Sequence, residues 1–265
     1  MTDRGFLWGA MAFYAVACGL TVRRLRNTGG ESAAHHRNVA LMVTGFVLHT
    51  VALVMRGQHI HRCPLTNLYE VQVFVAWSAV LFYLLIGPSY RVSFLGAFTA
   101  PVVLVLGLVS LLAPIDVARA EPLRRSPWVE SHAAIGIIAF GAFALGFVTS
   151  AMYLLQERQL KSHRLWPLFR LLPSIDQLDV IGFRLLILGF GMLTIGMIGG
   201  VVSVAAVGHW AVAKTIWSVA AWVLYGALLG ARGFEMWRGR RFACGAIALF
   251  VLALVGFWGA SLVSP

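Results

Sequence analysis

The sequence predicts an all-α fold, a polytopic membrane helix bundle of about eight transmembrane helices with both termini outside. Three observations carry that prediction. Of 265 residues, 60% are hydrophobic and 12% are charged, whereas a soluble globular domain has about a quarter charged. The mean hydropathy is +0.83. The apolar residues also fall in runs of roughly 20, the length at which a helix crosses a hydrocarbon core. With no soluble segment of comparable size between the runs, 1–265 reads as a single integral membrane domain.

The runs lie near 5–22, 38–55, 69–87, 92–113, 132–156, 179–203, 214–231 and 243–262. The first follows Thr2-Asp3-Arg4, too weakly basic for a cleaved signal, and no A-x-A site follows it, so it reads as an anchor. The second carries His49 inside VLHTVAL. The third is entered through PLTNLYE, in which Pro64 fixes a turn, Asn67 bonds local backbone, Tyr69 sits at headgroup depth and Glu70 stays near water. The fourth follows Arg91.

In the fifth, no charged residue occurs between His132 and Gln156. The sixth follows Ser174-Ile-Asp-Gln177, which fits a capping box, and contains Gly196-x-x-x-Gly200, a spacing that lets membrane helices approach closely. The seventh and eighth flank the basic turn WRGRR.

A net charge of +11 in a soluble protein would suggest nucleic acid. Here the cations sit in short loops, and no basic face with interleaved aromatics exists, so nucleic-acid binding is excluded. Arg23, Arg24, Arg26, Arg37, Arg91, Arg158, Lys161, Arg164, Arg170, Arg232, Arg238, Arg240 and Arg241 fall on one side. The positive-inside rule makes that side the inner one. The expected location is the bacterial cytoplasmic (inner) membrane, crossed many times, with the lipid bilayer as the first partner.

Cys18, Cys63 and Cys244 form no CxxC or CxxCH, so they read as isolated thiols. No Ser-His-Asp order, Walker loop, HExxH or dinucleotide GxGxxG occurs, and no reaction can be read from the chain.

The informative polar groups fall on the outer side. They include His59, His61, Glu70, Glu130, His132, His209 and Trp210, with His49 in the outer half of the second run. An ionisable residue inside a span calls for a partner or a function. His49 therefore reads either as a ligand or proton site or as a satisfied interhelical hydrogen bond. Imidazoles from two helices can clamp haem iron from both faces. Zinc and copper also suit imidazole, but the Cys and carboxylate partners of a closed site are not near by. His132, His49 and His209 are the candidate ligands, with Trp210 beside them, and His59 and His61 read as solvated.

The segments PLTNLYE, YLLQERQLK, IDQLDVIGFRLLILGFGMLTIGMIGG and AKTIWSVAAWVLYGALLGARGFEMWRGRR together resemble the cytochrome c assembly family of haem-handling membrane proteins, the CcsA, ResC and CcmC group. The core of the resemblance is about 38–262, and the last segment is similar to the short HemX and YpjD branch. The resemblance implies an all-helical bundle, haem b as cofactor, His132 as an outer-face haem ligand, and apocytochrome c and a ResB-like protein as partners.

The tryptophan-rich WGxxWxWD motif of longer members is replaced here by VAAVGHWAVAK, and Gly230 stands where they carry a membrane histidine. These departures keep a second expectation open, a HemX-like regulator of tetrapyrrole synthesis acting on glutamyl-tRNA reductase level without chemistry of its own. A small-solute transporter is a third, resting on the polytopic architecture alone.

Overall fold

Backbone in hydrocarbon must satisfy its N–H and C=O groups within its own segment, so each apolar run is expected to be helical throughout. A computed structural model describes residues 3–26, 31–65, 67–86, 95–112, 116, 127–162, 173–207 and 212–263. The described residues form eight helices: α1 (Asp3–Arg26), α2 (Glu31–Ile60), α3 (Leu68–Ile86), α4 (Leu95–Leu112), α5 (Pro127–Ser162), α6 (Ile175–Val207), α7 (Val212–Gly233) and α8 (Arg240–Val263). No strand occurs among the described residues. Seven helices are long and apolar enough to cross a membrane, and α4 contributes a shorter apolar stretch, Phe98–Leu112. Most helices overrun the apolar runs at both ends, α5 reaching 36 residues, because a helix continues into the headgroup layer after its hydrophobic stretch has ended.

Polar contacts between helix ends establish the alternation. Arg56 near the end of α2 meets Asp3 at the start of α1 (3.4 Å), Glu70 at the start of α3 (2.9 Å) and Asp116 beyond α4 (2.6 Å). Those four ends share one face, so α4 crosses back despite its length. The backbone N–H of Cys63 donates to Glu130 at 3.4 Å, which brings the start of α5 to the same face. At the opposite face Arg232, ending α7, pairs with Asp179, opening α6. Trp258, late in α8, donates to Gln72, early in α3, at 2.9 Å. The start of α1 and the end of α8 therefore lie on one side.

Local signals in the sequence act as expected. Ser174 and Gln177 exchange two reciprocal hydrogen bonds of 3.3 Å, closing the capping box before α6. His61, at φ 51°, takes the left-handed turn after α2, with Arg62 N–H returning to Gly57 O at 3.1 Å.

Helix α5 is the hub, packed along α6 and also against α3 and α8. It approaches α3 at Gly141, where a Cβ would lie 2.3 Å from Ser78 Oγ. Phe143 stacks on Tyr225 of α7 with ring centroids 3.8 Å apart.

Candidate functional site

His132 lies one turn and a half into α5, with Trp128 exposed before it. Its half-buried ring faces α6, and Nδ1 stands 2.6 Å from the Gly196 carbonyl oxygen. A carbonyl only accepts, so in the neutral ring Nδ1 carries the proton and donates it. That tautomer leaves the lone pair on Nε2, which has no hydrogen-bond partner among the described residues. A ligating histidine needs this arrangement, one ring nitrogen held by a backbone carbonyl and the other open.

His49 is 0% exposed, in the middle of α2. Its Nδ1 lies 3.5 Å from the Tyr14 hydroxyl of α1. The Val73 backbone passes beside the ring, yet Nε2 has no partner of ordinary hydrogen-bond geometry. The ring thus has a long interhelical contact with Tyr14 and the Val73 backbone beside it. A buried ring nitrogen without a partner costs free energy unless something occupies it.

The bundle does not bring the two histidines together. His49 belongs to the layer of α1, α2 and α3, and His132 to the α5–α6 pair, with α3 packed between α2 and α5. His209 and Trp210 lie outside the described residues. No group of three or more His, Cys, Asp or Glu side chains is arranged to hold a metal ion among the described residues. Isolated imidazoles of this kind are the type of ligand an iron takes when a macrocycle fills its equatorial positions, and the Nε2 of His132, with Nδ1 held by Gly196, has the donor chemistry for it.

The order of residues in PLTNLYE has a structural cause, of which sequence reasoning found the local bond of Asn67 and missed the rest. Asn67 Oδ1 accepts the Glu70 N–H at 2.9 Å and caps α3, while its Nδ2 donates to Asp116 at 2.9 Å. Tyr69 lies under two guanidinium groups, Arg4 at 5.2 Å and Arg56 at 5.4 Å from its ring centroid. Glu70 does not stay near water: it is 1% exposed and bonded to Arg56. Arg4 completes the cluster by donating to Asp116 at 2.7 Å.

Partial burial works to raise the Asp116 carboxyl, but the Arg4 hydrogen bond, the Arg56 charge and the Asn67 amide overcome it and hold the group below its ordinary value. Burial pushes the Cys63 thiol up, and the Glu130 and Glu70 charges push it further. Cys18, Cys63 and Cys244 are all free thiols. His59 and His61 are exposed, as expected. The only advance signal of the ionic cluster was Arg56 itself, a charge following an apolar run with no counterion near it in sequence.

The family described as "Cytochrome C assembly protein" matches residues 65–265, which include α3 to α8 and His132. Among similar proteins, the cytochrome c biogenesis protein CcsA of Prochlorococcus marinus (strain MIT 9301) is 27% identical, over 95% of this chain and 89% of the relative. CcsA of Synechococcus sp. (strain RCC307) is 28% identical over 96% and 91%. CcsA of Mesostigma viride is 27% identical over 85% and 82%. The likeness therefore extends through α2 and His49 as well, and the chain, a multi-pass membrane protein, belongs to the cytochrome c assembly family.

Proposed function

We propose that this protein binds and handles haem in cytochrome c assembly, with His132 and His49 as the candidate ligands of its iron. One observation carries the reading: the Nδ1–H of His132 is committed to Gly196 O at 2.6 Å, so Nε2 is the free base at the outer rim of α5. Haem, when bound, supplies an iron that accepts imidazole nitrogen. The Gly196 carbonyl would hold the His132 ring through Nδ1–H and leave Nε2 for that iron. His49 is a separate candidate, buried in the layer of α1, α2 and α3 and apart from His132.

The cofactor in this reading is haem b, held without covalent attachment. The acceptor is apocytochrome c at the outer face of a bacterial cytoplasmic membrane, with a ResB-like protein as the assembly partner. CcsA relatives, named for cytochrome c biogenesis and matched over most of their length, support it.

Titration of the detergent-purified protein with haem, followed in the visible spectrum, tests the reading. Wild type is expected to give a shifted Soret band, diminished in His132→Ala or in His49→Ala. A spectrum unaltered by both substitutions sinks the ligand assignment.

The sequence VAAVGHWAVAK, in place of the tryptophan-rich motif of longer members, favours a second reading, the HemX-like regulator. In that case deletion of the gene changes glutamyl-tRNA reductase level and leaves c-type cytochromes intact.

A further inference from the structure

His132 rests on a glycine surface of α6, and the positions on that surface differ in what they touch. A Cβ at Gly200 would find His132 ring atoms as its three nearest neighbours, Cε1 at 2.8 Å, Nδ1 at 3.1 Å and Nε2 at 3.4 Å. A Cβ at Gly199 would meet His132 only through Cβ and Cα, at 3.4 and 3.8 Å, ordinary contact distances. A Cβ at Gly196 would press on backbone, with Gly136 N at 3.2 Å and Cα at 3.3 Å. The three glycines therefore separate into a ring support, a neighbour that meets His132 only at Cβ and Cα, and a helix spacer.

We propose that Gly200 is a positioning residue for His132: its bare Cα lets the ring lie flat on α6, with Nδ1–H on Gly196 O and Nε2 turned to the ligand side. This deepens the assignment of His132 as a haem ligand and rests on it. The two glycines are one turn apart, so the ring meets both at once. The Gly196 carbonyl has two lone pairs and serves the ring without giving up its helical bond. A methyl group at position 200 enters space that the ring occupies, and the ring is the element free to yield, by turning about its side-chain torsions. Alanine favours the helix over glycine, so the substitution acts on the ring rather than on folding.

The test compares Gly200→Ala with Gly199→Ala in two measurements. The first needs no haem: nitrogen NMR of 15N-histidine-labelled apoprotein, with the His132 signals assigned by their loss in His132→Gln. Wild type and Gly199→Ala are expected to show a neutral ring protonated at Nδ1, and Gly200→Ala a mixed or reversed tautomer.

The second is haem titration, in which Gly200→Ala is expected to bind about ten-fold more weakly, as when a ligand's hydrogen-bond partner is lost. Gly199→Ala is expected to match wild type. In the His132→Gly background, free imidazole restores the shifted Soret band equally with and without Gly200→Ala, because an untethered ring chooses its own pose.

Wild-type nitrogen signals in Gly200→Ala overturn the proposal. So does a loss of imidazole rescue when Gly200→Ala is added to His132→Gly, which marks a purely structural role. If His132→Ala leaves the haem spectrum unaltered, the ligand assignment falls, and the nitrogen signals alone decide whether Gly200 places the ring.

Discussion

The Arg56 guanidinium donates to the Glu70 carboxylate at 2.9 Å, and through this bond the end of α2 holds the start of α3. Removing one partner of a buried pair strands the other charge. Glu70→Gln and Arg56→Ala are each expected to destabilise the bundle by about 3 kcal/mol, read as thermal unfolding in detergent. Joint replacement by Leu and Met is expected to recover part of that loss, and two additive single effects would show that the pair is not coupled.

Asp116 gives the same cluster a pH dependence. Its folded value is held below its unfolded one, so it contributes stability in full above the ordinary carboxylate range and loses it as pH falls through the lowered value. Melting temperature is expected to drop below roughly pH 4, and Asp116→Asn to flatten that drop while lowering stability at neutral pH. A variant with the wild-type acid profile would remove Asp116 as its source.

Cys63 tests the neighbourhood of the α5 start. With Cys18 and Cys244 changed to Ser, alkylation near pH 8 is expected to be slower than for a free thiol, since the group is pushed up first by burial and then by Glu130 and Glu70. Glu130→Gln removes one of those charges and is expected to raise the rate. An unaltered rate places Glu130 away from the thiol.

Gly45 keeps room for the Tyr14 ring beside His49. A Cβ there would stand 2.5 Å from Tyr14 Cε1, in the closed α1–α2 contact. Gly45→Ala is expected to cost about 1 to 3 kcal/mol by overpacking, and Gly19→Ala, with nothing within 4 Å of its Cβ, to cost little. Equal melting temperatures for the two would contradict the packing described.

The helices were legible because lipid leaves an apolar run of this length one backbone solution, and Ser174 with Gln177 marked a helix start through spacing alone. His132 and His49 were legible as residues out of place in apolar surroundings. Their hydrogen bonds were not, since Gly196 takes part through its carbonyl, a group every residue carries. Tyr14 lies a whole helix away from His49 and has no signature in spacing. Glu70 was misread as water-facing because its countercharge, Arg56, comes from another helix, and only packing reveals that Asp3 and Asp116 converge on the same guanidinium.

Strict alternation of the helices has a consequence for labelling. The start of α1 and the end of α8 emerge on one side, so a protease or impermeant dye sealed out of membrane vesicles reaches tags at both ends or at neither. A tag at the α7–α8 turn, near the exposed Phe234 and Met236, answers in the opposite sense. Three tags therefore suffice to orient the whole bundle, and with it the rim on which His132 stands.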